Sequence, residues 1–273
     1  MSLPSPSPDG AALVTGASAG IGAEIARELA RRGHNLILVA RREDRLRALA
    51  DELADEHGVR AETIACDLAS AGARERLGDQ VADLGLDVEI LINNAGFATH
   101  GAFHASDPTR ELEQVRVLVE AVVALTREFV DGMVQRGRGA ILNVASTAGM
   151  QPLPYSAGYS AAKAYVITFS EALHQELRGC GVTVTALCPG PVATDFWQIS
   201  GWEVKGGQTM DRAAGPATIS PADAARAGVS GLASGDRVVV PGLPIRTAML
   251  ASRYIPHAVK LPVLEWMQRR GAQ

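Results

Sequence analysis

Aromatic side chains are scarce in this chain, at 4% of 273 residues. Where several stand together they therefore carry information. Cysteine is scarce too: Cys66, Cys180 and Cys188 are an odd number without metal-ligand spacing. They point to no metal, suit a reduced, cytoplasmic protein, and are read as small buried hydrophobes. A basic excess is missing. The net charge of -4 argues against non-specific nucleic-acid binding. No apolar run reaches the roughly 18 residues of a membrane span. The opening SLPSPSPDG lacks the apolar core of an export signal and reads as a flexible lead over 1–10. Neither an internal repeat nor a long low-complexity segment is found.

Apolar residues are plentiful, at 47%, enough for a core covered on two sides. Short runs of Val, Ile and Leu read as buried strands over 11–15, 35–40, 59–66, 89–93, 140–145, 182–188 and 237–241. Between them lie helical patterns over 20–32, 42–57, 71–84, 108–136, 156–178 and 221–233. This alternation predicts an α/β fold: a Rossmann-type doubly wound parallel sheet of about seven strands with helices on both faces. Ligands of such sheets sit beyond the carboxyl ends of the strands. The expected organisation is one domain over 11–241, with a substrate lid at about 191–220. A helical tail over 242–273 packs on the domain or on a neighbouring subunit.

The segment Thr15-Gly16-Ala17-Ser18-Ala19-Gly20-Ile21-Gly22 joins the first strand to the first helix. Glycines there allow a tight turn and the approach of a pyrophosphate to the helix N-terminus. The second strand ends in Ala40-Arg41-Arg42, where an acidic residue would bind the ribose 2′-hydroxyl of NAD. Arg41 instead offers a planar donor set suited to a 2′-phosphate, and Ser18 adds a hydroxyl, so NADP(H) is favoured over NAD(H). Asp67, after the third strand, is placed to meet the adenine amino group.

Three groups that can act together fall between 146 and 163: the Ser146 hydroxyl, the Tyr159 phenol and the Lys163 ammonium. Tyr159 and Lys163 are four apart, one turn on the same helix face. An ammonium beside a phenol favours the phenolate, so Lys163 is expected to lower the pKa of Tyr159. A tyrosine so tuned passes a proton near neutral pH.

With these motifs in hand the chain resembles the classical short-chain dehydrogenase/reductase family over about 10–241. T-G-x-x-x-G-x-G falls at Thr15 to Gly22 and N-N-A-G at Asn93 to Gly96. The serine is Ser146, Y-x-x-x-K runs from Tyr159 to Lys163, and P-G-x-V-x-T from Pro189 to Thr194. The resemblance implies that Tyr159 is the acid/base, that Ser146 hydrogen-bonds the substrate oxygen, and that Lys163 holds the nicotinamide ribose. It implies cofactor contacts for Gly16, Ser18, Gly20, Ile21, Gly22, Asn93, Ala95, Gly96, Pro189, Gly190, Val192 and Thr194. It also implies a dimer or tetramer built on the helices at 108–136 and 156–178, with the apolar run Val115 to Leu125 as a candidate contact. The sequence departs from the family pattern once: the asparagine expected before the serine strand, thought to hold a water linking the lysine to solvent, reads Leu118.

The substrate end is read from the loops after the later strands. Phe97, Met150, Tyr155, Phe196 and Trp197 are the candidates, with Phe196, Trp197 and Trp202 a cluster in an aromatic-poor chain. His100 reads as a rim residue. The expected function is NADP(H)-dependent interconversion of a carbonyl and a secondary alcohol, on a bulky apolar small molecule. The alternative is a cofactor-binding sensor or scaffold that has lost turnover, for which Leu118 speaks. Pro256 and Pro262 are expected to break the tail into short pieces. That disfavours a membrane surface and favours a cover or a subunit contact.

Overall fold

The predicted strands form one parallel sheet. In a computed structural model of the chain, residues 3–194, 196, 203–204, 208–209, 218–252 and 254–269 are described. The strands are β1 (Gly10–Thr15), β2 (Asn35–Ala40), β3 (Ala61–Ala65), β4 (Asp87–Asn93), β5 (Gly139–Val144) and β6 (Val182–Leu187). β7 (Glu203–Val204) and β8 (Gln208–Thr209) make a separate antiparallel pair, in a stretch without the apolar pattern of a strand. β9 (Val238–Val239) completes the main sheet, whose order is β3-β2-β1-β4-β5-β6-β9.

The helices are α1 (Gly20–Arg31), α2 (Glu43–His57), α3 (Ala71–Asp83), α4 (Pro108–Val115), α5 (Ala121–Arg136), α6 (Ala157–Leu177), α7 (Pro221–Ser234), α8 (Leu243–Ser252) and α9 (His257–Arg269). Side chains alternate across each strand, so both faces of the sheet need cover. On one face Val14, Leu36, Leu38, Ile90 and Leu142 pack with Ile25 and Leu29 of α1, Leu46 and Leu53 of α2, and Val229 of α7. On the other, Leu13, Ile37, Leu91, Ile141 and Val184 pack with Leu77 of α3 and with Leu125 and Met133 of α5.

Three expectations are corrected. The lead is fastened rather than loose: Leu3 packs on the core, and the Ser7 and Pro8 carbonyls accept from Asn35 Nδ2 at 3.1 Å. The helix predicted over 108–136 is two helices joined by one π-helical turn, Arg116–Glu120. Such turns insert one residue into the helical register, and composition does not announce them. Finally, the run Val115 to Leu125 is not one exposed apolar face: Val115, Arg116 and Glu120 are exposed, while others turn into the core. Leu118, Ala121, Val122 and Leu125 are buried, and the exposed apolar side chains of this region are Leu112, Val115 and Val134, with Tyr165 on α6.

Beneath the site the sheet carries a buried polar chain. Asn93 Nδ2 donates to Asn143 Oδ1 at 2.8 Å and to Thr126 Oγ1 at 3.2 Å, and Asn143 Nδ2 donates to Ser170 Oγ at 2.9 Å. Breaking a buried hydrogen-bond pair strands its partners without water, which costs about 1–3 kcal/mol. Asn143→Ala is therefore expected to lower the unfolding free energy by about 2 kcal/mol, read from a urea titration. An unchanged midpoint would show that the chain of amides does not hold β4, β5 and α6 together.

Candidate active site

Six strand ends, those of β1 to β6, meet at one cavity of about 430 Å³. It begins at the turn after β1. There Gly16 has φ +66°, a left-handed conformation that a side chain would strain. The turn is tied to the end of β4 by Thr15 and Asn94. The backbone N–H groups of Asn94 and Ala95 donate to Thr15 Oγ1 at 2.9 and 3.1 Å, and Asn94 Nδ2 donates to the Thr15 carbonyl at 2.9 Å. A Cβ on Gly22 would lie 2.4 Å from Asn94 Nδ2, so glycine at 22 lets α1 start against this tie.

The start of α1 carries no side-chain cap, since its N-cap residue is Ala19. The helices α3, α4 and α7 are capped by Ser70, Asp107 and Ser220. The uncapped N–H groups of α1 face the lining formed by Gly16, Ser18, Ala19, Gly20 and Ile21, the arrangement that receives a phosphate.

At the end of β2, Arg41 and Arg42 both line the cavity. Arg42 Nη2 donates to Ser18 Oγ at 2.9 Å and its Nε to the same oxygen at 3.2 Å. The two arginines and the serine make one donor cluster, of which only Arg41 and Ser18 were singled out from sequence. Asp67 lines the cavity, with Oδ1 accepting from the Ala69 N–H at 3.1 Å.

The candidate reacting end, with Ser146, Tyr159 and Lys163, is built by β5, β6 and α6. Ser146 follows β5 and accepts from the Ala148 N–H at 3.1 Å. A Cβ on Gly149 would lie 2.5 Å from the Lys163 backbone, so glycine there lets the serine turn rest directly on α6. Tyr159 and Lys163 are both buried on α6 and both line the cavity. Burial pushes the Tyr159 phenol up to about 12, and a hydrogen bond with Ser146 works against that rise. Burial also pushes the Lys163 ammonium down, to about 8. Its Nζ donates to the Val144 carbonyl at 2.7 Å and stands 5.8 Å from the centre of the Tyr159 ring. The expectation that Lys163 lowers the tyrosine pKa is thus corrected: desolvation of the phenol dominates, and Ser146 is the group that opposes it.

Pro189, Gly190, Val192 and Thr194 line the cavity, as do Ala95, Gly96, Phe97 and Phe196. The Phe196 ring lies 5.9 Å from that of Tyr159. Asn93 does not line it; its side chain points into the amide chain beneath, and Asn94 takes the lining position. Met150 packs with Val122, Val166 and Cys188, away from the cavity. Tyr155 also lies outside the lining, at φ +65° where the chain enters α6, and its carbonyl accepts from the Gly101 N–H at 2.9 Å. Trp197 and Trp202 fall outside the described residues, as does most of the predicted lid. Sequence reasoning missed Arg42, Asn94, Glu113 and Val117. Asn94 was legible as the second residue of N-N-A-G. Glu113 and Val117 reach the cavity from α4 and the π turn, for which no sequence signal exists.

The tail covers this end. Leu264 of α9 packs against the cluster of Leu118, Leu153 and Tyr159 with Phe196, and Ser252 of α8 bonds Gln151 at 3.1 Å. No metal-ligand cluster is found among the described residues.

The family model for short chain dehydrogenase matches residues 10–203. The chain belongs to that family. It is 36% identical over 192 residues to the very-long-chain 3-oxoacyl-CoA reductase of Bos taurus, covering 69% of this chain and 61% of the bovine one. The chain thus spans about three fifths of that relative. It is 39% identical over 202 residues to a putative ketoacyl reductase of Streptomyces coelicolor, covering 69% and 77%. Among solved structures it resembles a short-chain dehydrogenase of Sphingobium yanoikuyae in complex with NADPH. That match has 32% identity, a TM-score of 0.78, and coverage of 89% of this chain and 93% of the other.

Lys163 gives a test that needs no substrate. Its folded pKa lies below its unfolded one, so between about pH 8 and 10.5 the unfolded chain holds a proton that the folded chain does not. The burial penalty is therefore full below pH 8 and fades as pH rises through that window. It outweighs the roughly 1–3 kcal/mol of leaving the Val144 carbonyl unpaired. Lys163→Met is expected to raise the thermal midpoint at pH 7, with the advantage shrinking toward pH 10. A variant that is less stable at pH 7 would contradict this account of the ammonium.

Proposed function

We propose that this protein is an NADP(H)-dependent carbonyl reductase or alcohol dehydrogenase with Tyr159 as its acid/base. The observation that carries the reading is the convergence of Ser146, Tyr159 and Lys163 at the end of a cavity whose other end is the uncapped glycine turn. That cradle fits a nicotinamide dinucleotide. Gly16 to Ile21 would take its pyrophosphate, Arg41, Arg42 and Ser18 a 2′-phosphate, Asp67 the adenine, and Lys163 the nicotinamide ribose. The NADPH named in the Sphingobium structure supports the choice of cofactor.

The bound cofactor supplies the hydride in the reductive direction. Ser146 Oγ and the Tyr159 hydroxyl donate hydrogen bonds to the substrate oxygen, where negative charge builds as the carbon is reduced. A phenol at about 12 is fully protonated at neutral pH, which suits an acid that must deliver its proton only when that charge appears. Lys163, at about 8, lies close enough to neutrality to exchange a proton. Phe97, Val117 and Phe196 give the reacting end an apolar wall. A bulky apolar carbonyl fits such a wall. The names of the bovine 3-oxoacyl-CoA reductase and the Streptomyces ketoacyl reductase favour an oxoacyl chain.

The test is NADPH consumption at 340 nm with 3-oxoacyl thioesters and bulky ketones. Tyr159→Phe is expected to lower kcat about 10²- to 10⁴-fold while NADPH binding persists. Arg42→Ala is expected to raise KM for NADPH about tenfold or more and to leave KM for NADH unchanged. Better turnover with NADH in the wild type would refute the 2′-phosphate assignment.

A second reading, a cofactor-binding sensor without turnover, is favoured by Leu118. Its side chain is buried in the Tyr159 cluster and offers no hydrogen bond to a water. Leu118→Asn is expected to quicken reduction several-fold if proton supply to Lys163 limits the rate. A wild type that binds NADPH yet reduces nothing in the panel would favour the sensor.

The cytoplasm suits three unpaired cysteines, and a homodimer or homotetramer would use the exposed Leu112, Val115 and Tyr165 of α4 and α6.

A further inference from the structure

The tail is apolar on two sides. α9 turns Lys260, Leu261 and Leu264 inward, the last onto the Tyr159 cluster. Its opposite stripe is Val259, Val263 and Trp266, spaced four and three apart, with Met267 beside them; each is more than half exposed. α8 and the turn after it add Leu243 at 73%, Tyr254 at 89%, Leu250 and Ile255. Eight of the large exposed hydrophobic residues therefore stand within 25 consecutive positions, from Leu243 to Met267. Scattered apolar residues on a surface are ordinary, but a concentration of this kind marks an interaction surface.

Charge selects the occupant. From 243 onward the chain has Arg246, Arg253, Lys260, Arg269 and Arg270 against Glu265 alone, a net of +4. Residues 1–242 then carry -8 of the total of -4. Of the cations in the tail, Lys260 is turned inward; the four arginines against Glu265 still leave the apolar surface on a locally cationic segment of an anionic protein. The tail also has Trp266 and Tyr254, whose rings suit the boundary between headgroups and acyl chains. Apolar residues and arginines on short helices, with ring side chains among them, have the chemistry of interfacial segments. Of the two breaks expected in the tail, the one at Pro256 is present, between α8 and α9, but Pro262 breaks nothing: α9 runs for 13 residues through it and keeps one continuous apolar stripe. Among the described residues no helix is long and apolar enough to cross a membrane, so contact would be with the surface.

We propose that α8 and α9 dock this protein on an anionic lipid bilayer, with Val259, Val263, Trp266 and Met267 entering the headgroup boundary and Arg246 and Arg269 meeting lipid phosphates. The docking stands apart from the chemistry of the cavity and from the cofactor.

The test is co-sedimentation of the full-length protein with vesicles of phosphatidylcholine, with and without about 30% phosphatidylglycerol. Binding is expected to the anionic vesicles, to weaken severalfold between about 50 and 500 mM salt, and to be slight on phosphatidylcholine alone. The triple variant Val259→Ser, Val263→Ser, Met267→Ser is expected to bind about tenfold more weakly or worse, with an unchanged thermal midpoint. Arg246→Gln with Arg269→Gln is expected to remove most of the salt dependence. No sedimentation of the wild type on anionic vesicles at low salt would overturn the proposal, and so would a triple variant that binds as the wild type does. Light scattering provides the third arm. A dimer that the triple variant dissolves, with no vesicle binding, would assign the face to a second copy of this chain and overturn the lipid assignment.

Discussion

An ammonium with only 5% of its residue exposed needs a fixed acceptor, and in this fold that acceptor is the carbonyl of Val144. The pairing sets the geometry of the whole reacting end. It pins α6 to the last residue of β5, two positions before Ser146, so the serine and the tyrosine cannot drift apart without the lysine losing its partner. The glycine at 149 lets the serine turn lie on the Lys163 backbone, which closes the same triangle from the other side. Beneath it, Asn143 ties β5 to β4 through Asn93 and to α6 through Ser170. Three catalytic candidates from two elements are held by buried polar bonds, each of which would be costly to leave unmade.

Much of this was legible because it is local. The turn at Gly16 to Gly22 follows from glycine between an apolar strand and an amphipathic helix, and Tyr159 and Lys163 share a helix face by spacing alone. The sheet was legible because both of its faces are covered, which forces nearly continuous Val, Ile and Leu in every central strand. Residues whose role depends on distant neighbours were not legible. Asn93 and Asn94 are adjacent and chemically identical, yet strand alternation sends Asn93 into the amide chain while Asn94 reaches the cavity edge. Met150 and Tyr155 lie in the segment that leads to α6, but one packs inward on Val166 and the other forms the bend into that helix.

The sign of the Tyr159 shift has the same origin. Four-residue spacing predicts proximity to an ammonium, and proximity alone would make the phenol more acidic. Spacing says nothing of burial. Both groups are withdrawn from water, which opposes ionisation of the phenol and of the lysine alike. The pair therefore rests with the tyrosine neutral, a state suited to giving a proton away, and with a lysine that sheds its proton unusually easily.

Leu118 belongs to this balance. A Cβ on Gly96 would lie 2.6 Å from Leu118 Cδ2 and 3.9 Å from Lys163 Nζ, so the leucine and the lysine head crowd the same glycine. The π-helical turn places Leu118 there while Val117, its neighbour, lines the cavity. An amide at position 118 would bring hydrogen-bonding groups close to the ammonium and ease its desolvation. A leucine instead keeps the surroundings apolar and leaves the Val144 carbonyl as the acceptor that the structure provides. Leu118 thus crowds the same glycine as the Lys163 head and adds to the apolar surroundings that the lysine and Tyr159 share.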